Sequence, residues 1–197
     1  MKKILLPYIF ILAGFAGICQ TNDLLSFEIQ RINTTKKGML VLGSWSAANI
    51  IAGAIGTSTA NGQARYFNQM NLIWRSTNLL FAGLGYWGAT RENTNSLTLS
   101  RVILHQNKVE KTFLFNAGLD LAYVTTGLYL TERSKQKADP SKLKGYGNSV
   151  ILQGGFLFLF DAVMYSLHQW HSKKLANFID KITVVAGPAG LALVCRL

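Results

Sequence analysis

The sequence is short of charge, of acid and of cysteine. Only 15% of its 197 residues are charged, against roughly 25% in an ordinary soluble domain, while 49% are hydrophobic. Mean hydropathy is +0.21, high for a soluble protein and low for a uniformly apolar transporter. That combination fits several membrane spans separated by charged loops. Acidic residues number 9 against 20 basic ones, a net charge of +11. The basic residues fall in short clusters between apolar runs, as juxtamembrane charge does. No long basic stretch interleaved with aromatics exists, which argues against a nucleic-acid partner. The two cysteines, Cys19 and Cys195, form no CxxC and no metal-type pair, so neither a disulfide framework nor a zinc site is indicated. Also missing are GxSxG, HExxH, a P-loop, and a GxGxxG that opens a helix after a strand. Gly83-Leu84-Gly85 and Gly154-Gly155 sit inside apolar helical runs, where close helix packing accounts for them. No internal repeat is present. The composition thus leans away from an enzyme and implies no cofactor.

What is present begins with MKKILLPYIFILAGFAGICQTND. Lys2 and Lys3 supply a positive start, Ile4 to Phe15 an apolar middle, and Gly17 and Cys19 small residues at a cleavage site. Residues 1–19 therefore read as a secretory signal peptide. The alternatives are lipidation at Cys19, which the bulky Ile18 disfavours, and an uncleaved anchor. All three place the chain in the bacterial envelope. Residues 20–37 read as a short amphipathic interfacial helix with Thr21 or Asn22 as cap and Leu24, Leu25, Phe27 and Ile32 on its apolar side.

Four apolar stretches follow, at 38–56, 70–89, 112–130 and 148–168. Each is close to the roughly 20 residues that cross a bilayer core, and backbone pairing inside lipid makes them helices. Residues 38–170 are thus expected to form a four-helix transmembrane domain in an all-α, polytopic protein of the inner membrane. Trp45, Trp74, Trp87 and Trp170 fall mostly near span ends. Asp139-Pro140 marks a turn between the last two spans, and Ser96 is a candidate cap for a helix that runs into the third. The tail, 171–197, reads as membrane-associated, with Gly187-Pro188 interrupting a final apolar segment. Orientation is ambiguous. The signal puts the loop bearing Arg133, Lys135, Lys137, Lys142 and Lys144 in the cytoplasm, yet the opposite side carries more Lys and Arg in total.

Polar residues inside the spans are not scattered. Ser46, Asn49, Gly53 and Gly56 share one helical face. So do Asn71, Arg75, Asn78, Ala82 and Gly85, then Asn116, Asp120, Tyr123 and Gly127, and finally Gly154, Asp161, Tyr165 and His168. Lipid gives apolar helices no reason to associate. Small residues and interhelical hydrogen bonds do, so these four faces should turn inward. Counting residues from the span ends puts Arg75, Asp120 and Asp161 at similar depth. A charge at mid-membrane should find a partner, which predicts an Arg75–Asp120–Asp161 cluster with Asn49, Asn78 and Asn116 as hydrogen-bonding neighbours. The first reading of this cluster is structural, fixing helix pairing or supporting assembly with another copy or another membrane protein. The second is a small transporter or a proton- or cation-conducting protein using Asp120, Asp161 and Arg75. The third is an intramembrane enzyme. His168 and His171, at i and i+3, are the weak candidates for a metal, and an interfacial role fits them better.

The segments ARYFNQMN with Trp74, AGLGYWGA, NAGLDLAYVTTGLYLTER and LKGYGNSVILQGGFLFLFD resemble a family of small bacterial membrane proteins of unknown function. The likeness runs over roughly residues 35–170 and is carried by Gln69-Met70-Asn71, by Asn116 with Gly118, Leu119 and Asp120, and by Gln153-Gly154-Gly155 with Asp161. It implies a signal peptide and about four spans, and brings no activity, cofactor or partner.

Overall fold

A computed structural model describes the backbone of residues 5–95, 97–180, 182–187 and 190–195, and side chains over 23–95 and 97–175. It contains four helices, α1 (Leu5–Thr59), α2 (Gly62–Thr90), α3 (Leu99–Ser134) and α4 (Ser141–Asp180), followed by strands β1 (Ile182–Gly187) and β2 (Gly190–Cys195). The chain is thus helical over nearly its whole described length. Among the described residues two helical segments, Asp23–Thr59 and Ser141–Leu175, are long and apolar enough to cross a membrane.

Three boundaries differ from the sequence expectation. The interfacial helix and first span are one continuous helix, because nothing between Thr34 and Met39 breaks it. Gly38 is used there for close packing instead: a Cβ on it would lie 2.5 Å from the sulfur of Met164. Residues 182–187 and 190–195 pair as an antiparallel hairpin, with Ile182 opposite Cys195 and Gly187 opposite Gly190, so the apolar tail is extended there. At the start of α3 the cap is Thr98, whose hydroxyl accepts from the Arg101 amide at 3.3 Å. Ser96 lies outside the described residues, as do the side chains of 1–22 on which the signal-peptide reading rests.

The connections follow local chemistry. Ala60 and Asn61 join α1 to α2, and the turn closes through Gly62 at φ +55°, a left-handed conformation that side chains other than glycine adopt poorly. Before α4, Asp139 Oδ1 accepts from the Ser141 amide at 2.9 Å. That bond holds the Asp139 carboxyl below the usual carboxylate range.

α4 is the central post. It packs along α3 on one side and α2 on another, α2 in turn packs along α1, and α2 and α3 stand apart. The α3–α4 seam is closed by glycines. A Cβ on Gly127 would lie 2.7 Å from the Gly147 carbonyl oxygen, and one on Gly154 2.9 Å from that of Asp120. Most of the inward faces read from the sequence do turn inward: Ser46, Gly53, Asn71, Arg75, Asn78, Ala82, Asp120, Gly127, Gly154, Asp161 and His168 are buried, while Tyr123, expected on the same face as Asp120, is exposed. The outside is apolar. Ile51, Leu80, Phe115 (67% exposed) and Leu159 (64% exposed) point away from all four helices. More polar than apolar side chains are buried among the described residues, the reverse of a water-soluble core.

Candidate functional site

The interior polar groups form two tiers. The first lies midway along the bundle. Arg75, on α2, is 1% exposed and points at α4 and α1. With the Gln153 amide oriented to satisfy its neighbours, its oxygen accepts from Arg75 Nε at 3.2 Å and Nη2 at 3.0 Å. The same end of Gln153 lies 2.5 Å from the Asn71 amide, which meets the Ser149 hydroxyl at 2.8 Å. Trp45 of α1 lays its ring 4.9 Å from the Arg75 guanidinium carbon, a cation–π contact, and stacks its other neighbour Phe156 at 4.5 Å.

Asp120 of α3 and Asp161 of α4 are both buried and line the same cleft as a carboxyl pair. Among the described residues neither makes an ion pair within 4.0 Å, with Arg75 or any other cation. The expected Arg75–Asp120–Asp161 cluster therefore splits into a carboxyl pair and an arginine–glutamine–asparagine group. The cause is rotational. Counting along helices fixes depth, but α2 and α3 do not pack together, so an α2 arginine at the right height faces α4 instead. Of the three expected asparagine neighbours, Asn49 turns its amide back on the Trp45 carbonyl at 2.7 Å. Asn78 is buried with its amide nitrogen unpartnered, and Asn116 is half-buried.

The space between α2 and α3 is a cleft of about 1200 Å³. Asp120, Asp161, Asn78 and Asn116 line its inner half, among Trp74, Phe81, Phe113 and Phe160. Trp74 and Tyr123 close that end edge to face across the gap, with centroids 4.8 Å apart.

The second tier closes the opposite end, where α1 meets the α2–α3 loop and the start of α3. Arg31 donates to Glu28 through Nε at 3.0 Å and Nη2 at 2.9 Å, and also to Glu92. His105 Nδ1 lies 2.5 Å from Glu28 Oε1. Burial pushes the Glu28 carboxyl up, but the hydrogen bonds and positive charges of Arg31 and His105 outweigh it and leave the group below its ordinary value. Glu28, Glu92 and His105 place one ligand-type atom each within 4.8 Å of one another. Arg31 already bridges the two carboxylates and supplies the positive charge a metal would bring, so the group reads as an ion-pair knot. Sequence reasoning missed it, because residues 28, 92 and 105 share no spacing. The one available signal was an ionised pair, Glu28 and Arg31, at i and i+3 beside an apolar run.

His168 and His171 do not converge on a common point. His168 Nε2 faces the Thr35 hydroxyl at 3.3 Å, and its ring stacks on Phe113. His171 Nε2 donates to the Phe27 carbonyl at 3.0 Å, with the rings stacked at 4.0 Å. Nearby, Gln106 donates to Glu110 at 2.7 Å and to the His168 carbonyl at 2.8 Å. These contacts tie α4 to α1 and α3.

Residues 41–162 match the model of a family described as "Family of unknown function (DUF6992)". The chain belongs to that family. The matched region holds the whole middle tier (Trp45, Asn71, Arg75, Asp120, Gln153 and Asp161) and the inner half of the cleft. Glu28, Arg31, His168 and His171 lie outside the DUF6992 match. No curated protein and no solved structure matches the chain.

Proposed function

We propose that this DUF6992 protein is a non-enzymatic integral protein of the bacterial inner membrane, crossing it with four helices, whose polar interior holds the helices together and supports assembly with a partner. One observation carries the reading. Buried positions hold Arg75, Gln153, Asn71 and the aspartates, while Leu80, Phe115 and Leu159 face outward. In water that distribution exposes far more apolar surface than a monomer tolerates. In lipid the outward leucines cost nothing, and the interior hydrogen bonds give the helices their reason to associate. Shorter apolar stretches in α2 and α3 are compatible with spans, because their polar residues point inward. The test is extraction. Membranes from cells expressing the full chain are washed with alkaline carbonate, and the protein should stay with the lipid pellet until detergent is added. Release by carbonate or high salt alone sinks the proposal.

A second reading is favoured by the cleft. Asp120 and Asp161 face an open space, which suits a small transporter or a proton- or cation-conducting protein. Arg75 plays no direct part in that version, since its Nε and Nη2 go to Gln153 and it does not line the cleft.

A further inference from the structure

The cleft wall contains buried polar atoms that its own side chains do not satisfy. Arg75 is the cation at mid-depth, and its Nε and Nη2 go to Gln153. Asp120 and Asp161, 3% and 5% exposed, both present carboxyls to the cleft. Asp120 Oδ2 has no hydrogen-bond partner although the residue is 3% exposed. Across the cleft, the buried Asn78 leaves its amide nitrogen equally unpartnered. Unsatisfied buried polar atoms call for an explanation. The space beside these atoms is where a partner group belongs.

The walls say what kind of group. Trp74, Phe81, Phe113, Tyr123 and Phe160 line the same cleft as the carboxyl pair, and aromatic faces attract cations. A bare divalent ion would meet too few oxygens, since calcium takes six to eight and magnesium demands near-octahedral geometry. An anionic amphiphile would fit the apolar walls, and its head could reach Arg101 and Lys108 at the outer end. Its tail would then lie against the carboxyl pair. Lys108 is twelve residues before Asp120, about 18 Å along α3, too far to neutralise it. Arg31, Glu92 and His105, the other charged or titratable groups of the cleft, sit at that same outer end.

We propose that the cleft binds a monovalent lipophilic organic cation, its charged centre against Asp120 and Asp161 and its apolar body between Trp74, Phe113 and Phe160. This narrows the second reading above to a ligand class, and it rests on the cleft and not on bilayer insertion.

The experiment uses the full chain in nonionic detergent and two probes of the same shape and opposite charge, tetraphenylphosphonium and tetraphenylborate. Equilibrium dialysis should show saturable binding of one phosphonium per chain, at least tenfold tighter than the borate, with a change in tryptophan fluorescence. Asp120→Asn and Asp161→Asn should each weaken phosphonium binding at least tenfold in protein that elutes and melts as wild type. Should those variants not fold, Trp74→Phe localises the site, retaining binding by dialysis while losing most of the fluorescence response. Borate binding as tight as phosphonium overturns the proposal. So do unchanged affinity in folded aspartate variants, and a fluorescence response that survives Trp74→Phe in full. A chain that stays in carbonate-washed membranes but ignores the phosphonium keeps the structural reading and loses this one.

Discussion

Arg75 and Asp120 occupy the same level of the bundle and do not pair: the arginine bonds to Gln153 while the aspartate lines the cleft beside Asp161. Sites without shared partners behave additively within about 0.5 kcal/mol, whereas residues in one network couple by roughly 0.5–3 kcal/mol. A double-mutant cycle of Arg75→Gln with Asp120→Asn should therefore give a coupling energy below about 0.5 kcal/mol. The cycle of Arg75→Gln with Gln153→Ala should exceed that. Thermal or denaturant unfolding in detergent measures both. A coupling above about 1 kcal/mol between Arg75 and Asp120 would restore the ion pair expected from depth alone.

The α3–α4 seam predicts a steric result. At Gly127 a Cβ would lie 2.7 Å from the Gly147 carbonyl oxygen and 2.8 Å from the Ile151 nitrogen, so Gly127→Val forces the helices apart. Overpacking of this kind costs about 1–3 kcal/mol. Gly83 has nothing within 4 Å of its Cβ position. Gly83→Ala should be neutral or stabilising by up to about 1 kcal/mol, because alanine is the better helix former. A melting series in one detergent compares the two, and similar destabilisation by both would contradict the close approach.

The knot at Glu28 predicts a dependence on pH. The folded-state pKa of Glu28 lies below its ordinary value, so its contribution is full above the ordinary carboxylate pKa. It is lost as pH falls through the lowered one. Breaking a buried pair costs roughly 3–5 kcal/mol. Glu28→Gln should thus lower the melting midpoint at neutral pH, and the gap to wild type should shrink as the solution is acidified. A gap that is constant with pH would mean the carboxylate charge is not what Arg31 and His105 hold.

The helix faces were legible in the sequence because they are a local property. A period of 3.6 places Asn71, Arg75, Asn78 and Ala82 on one side wherever the helix goes, and Gly127 and Gly154 are close-contact positions for the same reason, whereas Gly83 and Gly155, expected to pack closely as well, have nothing within 4 Å of their Cβ positions. The pairing of those faces was not legible. Arg75 required knowing that α2 packs on α4 and leaves α3 across a cleft, and no spacing within one helix encodes that. Asn71 and Gln153 were visible as distinctive residues, yet nothing in their neighbourhoods named Arg75 as their partner. The knot of Glu28, Arg31, Glu92 and His105 draws on three separate segments. The partner that packs against Gly38, Met164, is more than a hundred residues away.

The central claim is that the polar side of this bundle faces inward and lipid surrounds the rest. It is tested most directly by nitroxide labels at single cysteines replacing Leu80, Phe115 and Leu159, in a chain with Cys19 and Cys195 changed to serine and reconstituted in liposomes. Collision with oxygen and shielding from a water-soluble nickel chelate at all three positions is the predicted result. Free access of the nickel chelate to all three would contradict it.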